Sequence, residues 1–478
     1  MGQEISQTHF NEQTFKEYNH RLQNEAELLQ TQLAQGYFSN VGEICGYELE
    51  FWLIDHNYFP SPINQAFLTR LNNPLVVPEL SCFNAELNGV PLPLSGDVLS
   101  EIFKEISQNW QQCQEVAHGM DSMLMMIGIL PTVRQKDLSL ANMSDLKRYR
   151  ALNEQVVMRR VGRPLRIRIK GRENLDIHHP DVMMEAAATS FQLHLQCAQR
   201  NAVRYFNASI IAAGPLLAAA GNSPFLFGAD LWDETRVPLF EQSVEIVDEA
   251  NFENHRVSFG QDYARESLFE CFAHNIATHP VLLPMLVDTP PQQFEHLRLH
   301  NGTIWRWIRP LIGFDPDGTP HLRIEQRVLP AGPTIVDMMA NAALYFGLAR
   351  FLVSMHDAPE SRLSFKQART NFYAAAREGL HAQMGWWDER ATDAKTLLLE
   401  EILPMARQGL RSLKVDRIDI DHYLGIIEKR TQSGQTGAVW QRAYRQKYQA
   451  DNLQLVAAYL ERQRTGAPVH EWGYQHVD

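Results

Sequence analysis

Four segments of the chain alternate polar and apolar residues with a period of two, and this pattern constrains the fold more than any other feature. Successive side chains of a β-strand point to opposite faces, so each segment would present one apolar and one polar face. Such alternation is typical of strands in an antiparallel sheet that packs on one side. The four segments are GYELEFWLID (46–55), CFNAELN (82–88), SFQLHLQC (190–197) and HLRIEQRVL (321–329).

The polar faces of these segments collect carboxylate, imidazole, amide and guanidinium groups and contain no lysine. Two carboxylates at positions i and i+2 of one strand lie about 6–7 Å apart, which allows them to chelate one or two hard cations. Glutamate oxygens with a histidine suit Mg²⁺ or Mn²⁺, and arginines bind phosphate or carboxylate oxygens. Two interpretations remain open at this point, a metal–phosphate site and an ordinary solvated face. The residues concerned are Glu48, Glu50, Glu86, His194, Arg323, Glu325 and Arg327.

Net charge limits the partners of the protein. The chain has 478 residues with 44 Lys and Arg against 56 Asp and Glu, which gives a formal net charge of −12. A surface of that charge repels a phosphate backbone, which excludes a general nucleic-acid-binding protein. The 45% of hydrophobic residues also exclude a mainly disordered or fibrous chain. An anionic ligand would therefore need a local cluster of donors or a metal.

The cysteines and the apolar runs indicate the cellular compartment in which we expect the protein. The five cysteines are widely spaced without a CxxC pair, which indicates neither a disulfide framework nor a zinc knuckle. The sequence starts without the basic and apolar regions of a secretory signal, and apolar runs such as 123–130 and 210–221 are too short to span a membrane. We therefore expect a cytoplasmic protein without a membrane partner.

The order of the patterns along the chain predicts an α+β fold. Apolar residues at helical spacing predict an N-terminal helix over residues 13–35, and short strand patterns separated by helices continue to about residue 330. We predict a catalytic core over residues 1–335, in which helices flank an antiparallel sheet with a polar catalytic face. Residues 336–478 would form a helical C-terminal region packed on this core, because no Pro/Gly/Ser-rich linker separates the two.

Several motifs in this order resemble the glutamate–cysteine ligase type 2 (carboxylate–amine ligase) family, which has a glutamine-synthetase-like fold. The segment 46–55 is similar to the family's opening strand with paired metal-binding glutamates, and TSFQLHLQ (189–196) is similar to its strand with a metal-binding histidine. The resemblance covers about residues 40–445. The other matching segments are ELSCFNAELN (79–88), LAAAGNSPFLFG (217–228), DETRVPLFEQ (233–242), GTIWRWIRP (302–310) and LRIEQRVLPAGPT (322–334).

The resemblance implies ATP-dependent amide formation. A carboxylate, glutamate or a similar amino acid, would take the γ-phosphoryl group of ATP, and an amine would attack the resulting acyl phosphate. The family's metal is Mg²⁺ or Mn²⁺, and the matching positions imply the ligands Glu48, Glu50, Glu86, His194 and Glu325.

The resemblance also implies roles for the arginines. Arg327 and Glu325 would be catalytic, and Arg323 would join Arg327 in binding ATP. Contacts to the substrate are implied for Arg236, Arg309, Arg148 and Tyr149.

Other functions remain open from the residues alone. A guanidino-kinase-like phosphotransferase on the same fold would transfer phosphate without making an amide. A non-catalytic nucleotide- or metal-binding regulator, and a ligase that acts on a protein side chain, are further alternatives. The sequence predicts small-molecule amino acid and amine substrates without naming the amine, and it is compatible with a homodimer.

Overall fold

One large antiparallel sheet organises the fold of this computed structural model, which describes residues 4–246, 255–387 and 390–474. The strands are β1 Ile44–Ile54, β2 Val76–Pro78, β3 Asn84–Asn88, β4 Leu92–Pro93, β5 Met123–Met125, β6 Leu165–Lys170, β7 Asn174–His179, β8 Phe191–Cys197, β9 Phe225–Leu226, β10 Ala229–Asp230, β11 Val257–Ser258, β12 Trp305–Arg306, β13 Ile308–Phe314, β14 Pro320–Gln326, β15 Gln383–Trp386 and β16 Arg390–Asp393. Within the described residues the large sheet has eight strands in the order β13-β14-β8-β1-β3-β2, and β4 and β5 also pair with β1.

The four alternating segments form four adjacent strands of this sheet. They correspond to β14, β8, β1 and β3, which pair with one another in that order and are antiparallel throughout. This arrangement confirms the predicted antiparallel α+β architecture. The local period of two was sufficient to identify each strand, because every segment has one face that must pack.

Helices surround the sheet and continue to the end of the described chain. The helices are α1 Glu12–Ala34, α2 Asn64–Leu71, α3 Val98–His118, α4 Lys147–Arg159, α5 Ala202–Ala220, α6 Arg236–Ser243, α7 Phe269–Thr278, α8 Glu295–Gly302, α9 Ile335–Ser354, α10 Phe365–Glu378, α11 Ala394–Leu397, α12 Leu403–Ser412, α13 Arg417–Ser433, α14 Gly437–Tyr448 and α15 Asn452–Arg464. After residue 336 the short hairpin β15–β16 interrupts the helices, which differs from the prediction of a helical region over residues 336–478.

Helices α2, α3 and α5 cover the apolar face of the sheet. Phe51 of β1 contacts Phe67 of α2 and Trp110 of α3, with ring centroids 6.4 and 5.3 Å apart. Helix α5 packs on β13 and β14, and α9 packs behind α5 against α12 and α13. A buried ion pair of 2.8 Å between Arg430 and Asp337 fixes α13 to α9. The apolar core therefore lies on one side of the sheet, and the polar side chains point to the other.

Two of the core helices are apolar enough to resemble membrane spans. The segments Gln199–Ala220 and Ile335–Ser354 have sufficient length and hydropathy, and they extend beyond the short apolar runs visible in the sequence. Their most apolar windows are 89% and 83% buried inside the molecule. Packing in the core accounts for this apolar character.

The N-terminal helix α1 positions helix α8 at the edge of the polar face of the sheet. The prediction of a helix over 13–35 is confirmed by α1, which contacts α8. Glu25 of α1 accepts a hydrogen bond from the main-chain N–H of Leu297 at 2.8 Å, and its other oxygen lies 2.5 Å from Nδ1 of His296. Because both side chains are buried, this contact fixes α8 at the edge of the polar face.

Candidate active site

Strand register brings the predicted polar residues together on one face. Glu50 pairs with Glu86, Glu325 pairs with His194, and Glu48 pairs with Gln192. Directly paired residues in an antiparallel ladder place their side chains on the same face. Glu86 is 3% exposed and Glu325 is 1% exposed, which excludes the alternative of an ordinary solvated face.

The first cluster on this face consists of Glu48, His194 and Glu325, whose ligand atoms all lie within 4.8 Å of one another. Nε2 of His194 lies 3.2 Å from a Glu48 oxygen. Nδ1 of this buried histidine has no hydrogen-bond partner in the described part of the chain, and the Glu48 carboxylate is the neighbour of Nε2. A buried polar atom without a partner costs free energy, so the imidazole is suited to a ligand from outside the chain.

The second cluster consists of Glu50, Glu79 and Glu86, again with ligand atoms within 4.8 Å of one another. Burial and the charge of Glu86 raise the pKa of Glu50 to about 7. Burial and the charge of Glu50 raise the pKa of Glu79 to about 7, and the pKa of Glu86 is also raised, first by burial and then by Glu48 and Glu79. Three carboxylates in such proximity repel one another, and a divalent cation would remove that repulsion.

Both clusters fit hard divalent cations. Each offers carboxylate oxygens, and one adds an imidazole nitrogen, which is the donor set that Mg²⁺ or Mn²⁺ accepts. The sequence-predicted ligands Glu48, Glu50, Glu86, His194 and Glu325 are thus divided between two clusters on adjacent strands.

Glu79 was not among the predicted ligands. It lies directly after β2, a strand of three residues that is too short to show a period of two. The sequence feature that could have indicated Glu79 is its position at the start of the segment 79–88. Pairing of β2 with β3 places this position close to Glu86.

Two arginines share the carboxylate of Glu325. Arg309 donates from Nε and Nη2 at 2.8 and 3.0 Å, and Nη1 of Arg327 lies 3.3 Å away while also donating to Gln192. Burial opposes ionisation of Glu325, but the charges of Arg309 and Arg327 lower its pKa to about 2. The structure therefore gives Arg309 a bidentate partner within the chain, where the sequence analysis assigned it to the substrate.

Arg236, also assigned to the substrate, is tied to the main chain. It is 2% exposed and donates to the carbonyls of Thr189 and Leu329 at 3.1 Å. It also lies 3.4 Å from the carboxylate of Glu234. These hydrogen bonds connect the backbone after β14 to the backbone before β8. The donors of Arg236 therefore stabilise the site and are not free to bind a substrate.

Two connected cavities open onto the carboxylate clusters. The larger has a volume of about 1340 Å³, including space that opens to solvent, and the smaller has a volume of about 540 Å³. They share Glu50, Glu79, Glu185 and Arg327, so Arg327 lies where the cavities meet.

The larger cavity carries the remaining predicted residues. Arg148, Tyr149 and Arg323 line it beside both clusters. Nη2 of Arg148 donates to the Tyr149 hydroxyl at 2.8 Å. Nε of Arg323 is buried without a hydrogen-bond partner among the residues described, which leaves it available to an anion.

Glu185 is a further candidate residue that the sequence did not indicate. It belongs to the short 3₁₀ helix Val182–Ala187, where it stands within an apolar run without any recognisable motif. Burial raises its pKa to about 7, although the charge of Arg327 opposes the rise. The side chain lines both cavities.

Comparison with solved structures identifies the same fold elsewhere. A glutamate–cysteine ligase from Francisella tularensis, solved in complex with AMP, is similar with a TM-score of 0.57 and 12% identity, over 90% of this chain and 90% of that chain. A bifunctional glutathione synthetase from Pasteurella multocida is similar with a TM-score of 0.55 and 11% identity, over 92% of this chain and 55% of that longer chain. No curated protein matches the chain by sequence.

A match to a sequence-family model assigns the class of the protein, a ligase of the glutamate–cysteine ligase type. The chain belongs to the glutamate-cysteine ligase family 2 (GCS2), whose family model matches residues 44–459. This match confirms the family that the sequence motifs indicated, and it includes every residue of the two carboxylate clusters.

Proposed function

We propose that the protein is an ATP-dependent carboxylate–amine ligase that forms an amide through an acyl phosphate. Its carboxylate substrate is glutamate or a similar amino acid, its fold is glutamine-synthetase-like, and its location is cytoplasmic. The observation that carries the proposal is the pair of carboxylate clusters on adjacent strands, with Arg327 between the two cavities.

The proposed reaction brings two anions together. A substrate carboxylate must approach the γ-phosphoryl group of ATP, and like charges 4 Å apart repel by about 4 kcal/mol at an effective dielectric constant of 20. Mg²⁺ or Mn²⁺, held by Glu48, His194 and Glu325 and by Glu50, Glu79 and Glu86, would supply the neutralising charge at this point.

The chain's own cations complete the binding of phosphate. Arg327 is oriented by Glu325 and Gln192 and lies at the junction of the cavities, where it can contact the transferred phosphoryl group. Arg323 has an unpaired Nε in the larger cavity and can bind a second phosphate of the nucleotide. Preorganised donors of this kind each contribute roughly 10²–10³ in rate.

Atoms balance over two steps. A carboxylate oxygen attacks the γ-phosphorus, and the bond to the β-phosphate oxygen breaks, so that ADP leaves. The neutral amine then attacks the acyl carbon, inorganic phosphate leaves with the bond electrons, and the amine nitrogen loses a proton. Arg148 and Tyr149, which line the same cavity, are proposed to contact the carboxylate-bearing substrate.

Hydroxylamine tests this proposal without knowledge of the natural amine. With Mg²⁺, ATP and glutamate, we expect ADP release and a hydroxamate detectable by mass, because hydroxylamine traps an acyl phosphate. A panel of amines then identifies the acceptor by the mass of the amide. ADP release with guanidino compounds and without any amide would instead identify a phosphotransferase, and binding of nucleotide without ADP release would identify a regulator.

A further inference from the structure

Glu185 is a carboxylate in the smaller cavity that belongs to neither cluster. Its oxygens lie outside the two groups whose ligand atoms are within 4.8 Å of one another. Over the described residues no N–H or O–H donates to this carboxylate, whereas Glu50 accepts hydrogen bonds at 2.6 Å from the Ser190 N–H and at 2.9 Å from Gln192. A half-buried carboxylate without donors loses part of its hydration without compensation, so Glu185 is suited to a cation from outside the chain.

An aromatic wall forms another side of the same cavity. Phe240 and Trp307 line it, with ring centroids 5.8 Å apart and an interplanar angle of 78°. Nε1 of Trp307 donates to Glu241 at 2.9 Å, which fixes the orientation of the indole ring. Aromatic rings attract cations and also pack well on an apolar body.

One polar atom in each of two side chains in this cavity lacks a partner. Ser190 and Asn84 are 8% and 3% exposed, and neither the Ser190 hydroxyl nor Nδ2 of Asn84 has a hydrogen-bond partner in the described ranges. Buried polar atoms in proteins are normally satisfied, so the Ser190 hydroxyl, which can accept, and Nδ2 of Asn84, which only donates, indicate a ligand with both donor and acceptor groups. Arg236, one cation of the cavity, bonds to carbonyls, and Nη1 of the other, Arg327, donates to Glu325 and Gln192, which leaves its Nε for the phosphoryl group.

We propose that the smaller cavity binds a positively charged amino group of a substrate, with Glu185 as its counter-ion and with Phe240 and Trp307 as the wall beside it. This inference rests on the proposed ligase function and adds a requirement to it. An amine that attacks an acyl phosphate must be neutral, so the bound ammonium group is not the nucleophile. It belongs either to an amino acid that supplies the carboxylate or to the second amino group of a diamine acceptor.

Matched substrates distinguish these two sources. Glutamate and glutarate differ by the amino group of the carboxylate substrate, and putrescine and butylamine differ by the second amino group of the acceptor. In one of the two pairs the wild-type KM should be at least about 10-fold lower for the charged member, as expected for one charge-assisted hydrogen bond. Glu185→Gln should abolish that preference, Glu185→Asp should retain part of it, and the exposed control Glu266→Gln should retain all of it.

Several results would overturn the proposal while the ligase function stands. These are ADP release without preference for the charged member of either pair, and a preference that survives in Glu185→Gln. A weaker affinity of Glu185→Gln for Mn²⁺ would identify Glu185 as a metal ligand instead. Thermal unfolding of Glu185→Gln should occur at or above the wild-type temperature, because glutamine removes a buried charge without changing the shape.

Binding provides a test that does not depend on turnover. If no carboxylate and amine give ADP release, the proposed ligase function fails, and the ammonium site is then examined with butylammonium and its uncharged counterpart butanol by ligand-observed NMR. The wild type should bind butylammonium about 10-fold more tightly than butanol, and Glu185→Gln should not discriminate. Equal binding of the two probes by the wild type would refute the site.

Discussion

Replacement of Arg309 by methionine should destabilise the folded protein, because it removes the bidentate partner of a buried carboxylate. Both side chains of this ion pair are almost fully buried, and its bonds measure 2.8 and 3.0 Å. Although burial opposes ionisation, Arg309 and Arg327 bring the pKa of Glu325 from 4.5 to about 2. Since one pKa unit corresponds to about 1.4 kcal/mol, the paired carboxylate contributes about 3 kcal/mol at neutral pH, and Arg309 shares this contribution with Arg327 and His194.

Calorimetry in EDTA measures this loss without a contribution from metal. Unfolding entropy is about 2.1 cal/mol/K per residue, so a loss of up to about 3 kcal/mol from a 478-residue chain lowers the Tm by up to about 3 °C. The pKa of Glu325 is lower in the folded state than in the unfolded state. Its contribution to stability is therefore present above about pH 4.5 and lost as the pH falls through about 2, so the difference in Tm should be smaller at pH 3.5 than at pH 7.

A surface ion pair provides the control for this experiment. Arg417 is 85% exposed and lies 3.3 Å from Asp421, a pair worth less than about 1 kcal/mol. Arg417→Met should therefore leave the Tm within about 1 °C of the wild type. An equally small change in Arg309→Met at pH 7 would refute the reasoning, since it would mean that Glu325 does not depend on Arg309.

Four further predictions concern metal and nucleotide. Glu48→Ala should reduce ADP release at least about 10²-fold while the Tm stays near that of the wild type, because it removes a ligand of the first cluster; undiminished release would contradict the metal assignment. Glu79→Gln should weaken one of two Mn²⁺ sites about 10–100-fold in a calorimetric titration and leave the other unchanged. Because the pKa values of Glu50 and Glu79 are about 7 and that of Glu86 is also raised, protons compete with Mn²⁺, so its affinity should rise as the pH increases through about 7. Arg323→Met should raise the KM for ATP about 10-fold with a smaller effect on the KM for glutamate, and an unchanged KM for ATP would remove Arg323 from the nucleotide site.

Much of the candidate site could be predicted from local sequence because its residues lie on regular strands. Glu48 and Glu50 on β1 and His194 on β8 each occupy the polar phase of a clear alternation, and that phase alone places them on one face. Glu79 and Glu185 could not be found in this way. The first follows a three-residue strand and the second lies in a 3₁₀ helix, and neither element has a period that marks a face.

The sequence by itself determined the four site-forming strands β1, β3, β8 and β14, the polar phase of each and the family, since these depend on residue types at short spacing. Tertiary structure decided how those side chains are used. The order β14-β8-β1-β3 divides the acidic residues into two clusters, buries them, and aligns Arg309 with Glu325 across a strand pair. Periodicity is a local property, whereas ion pairing and the pKa of a carboxylate depend on neighbours that are distant along the chain and are brought close only when the strands pair.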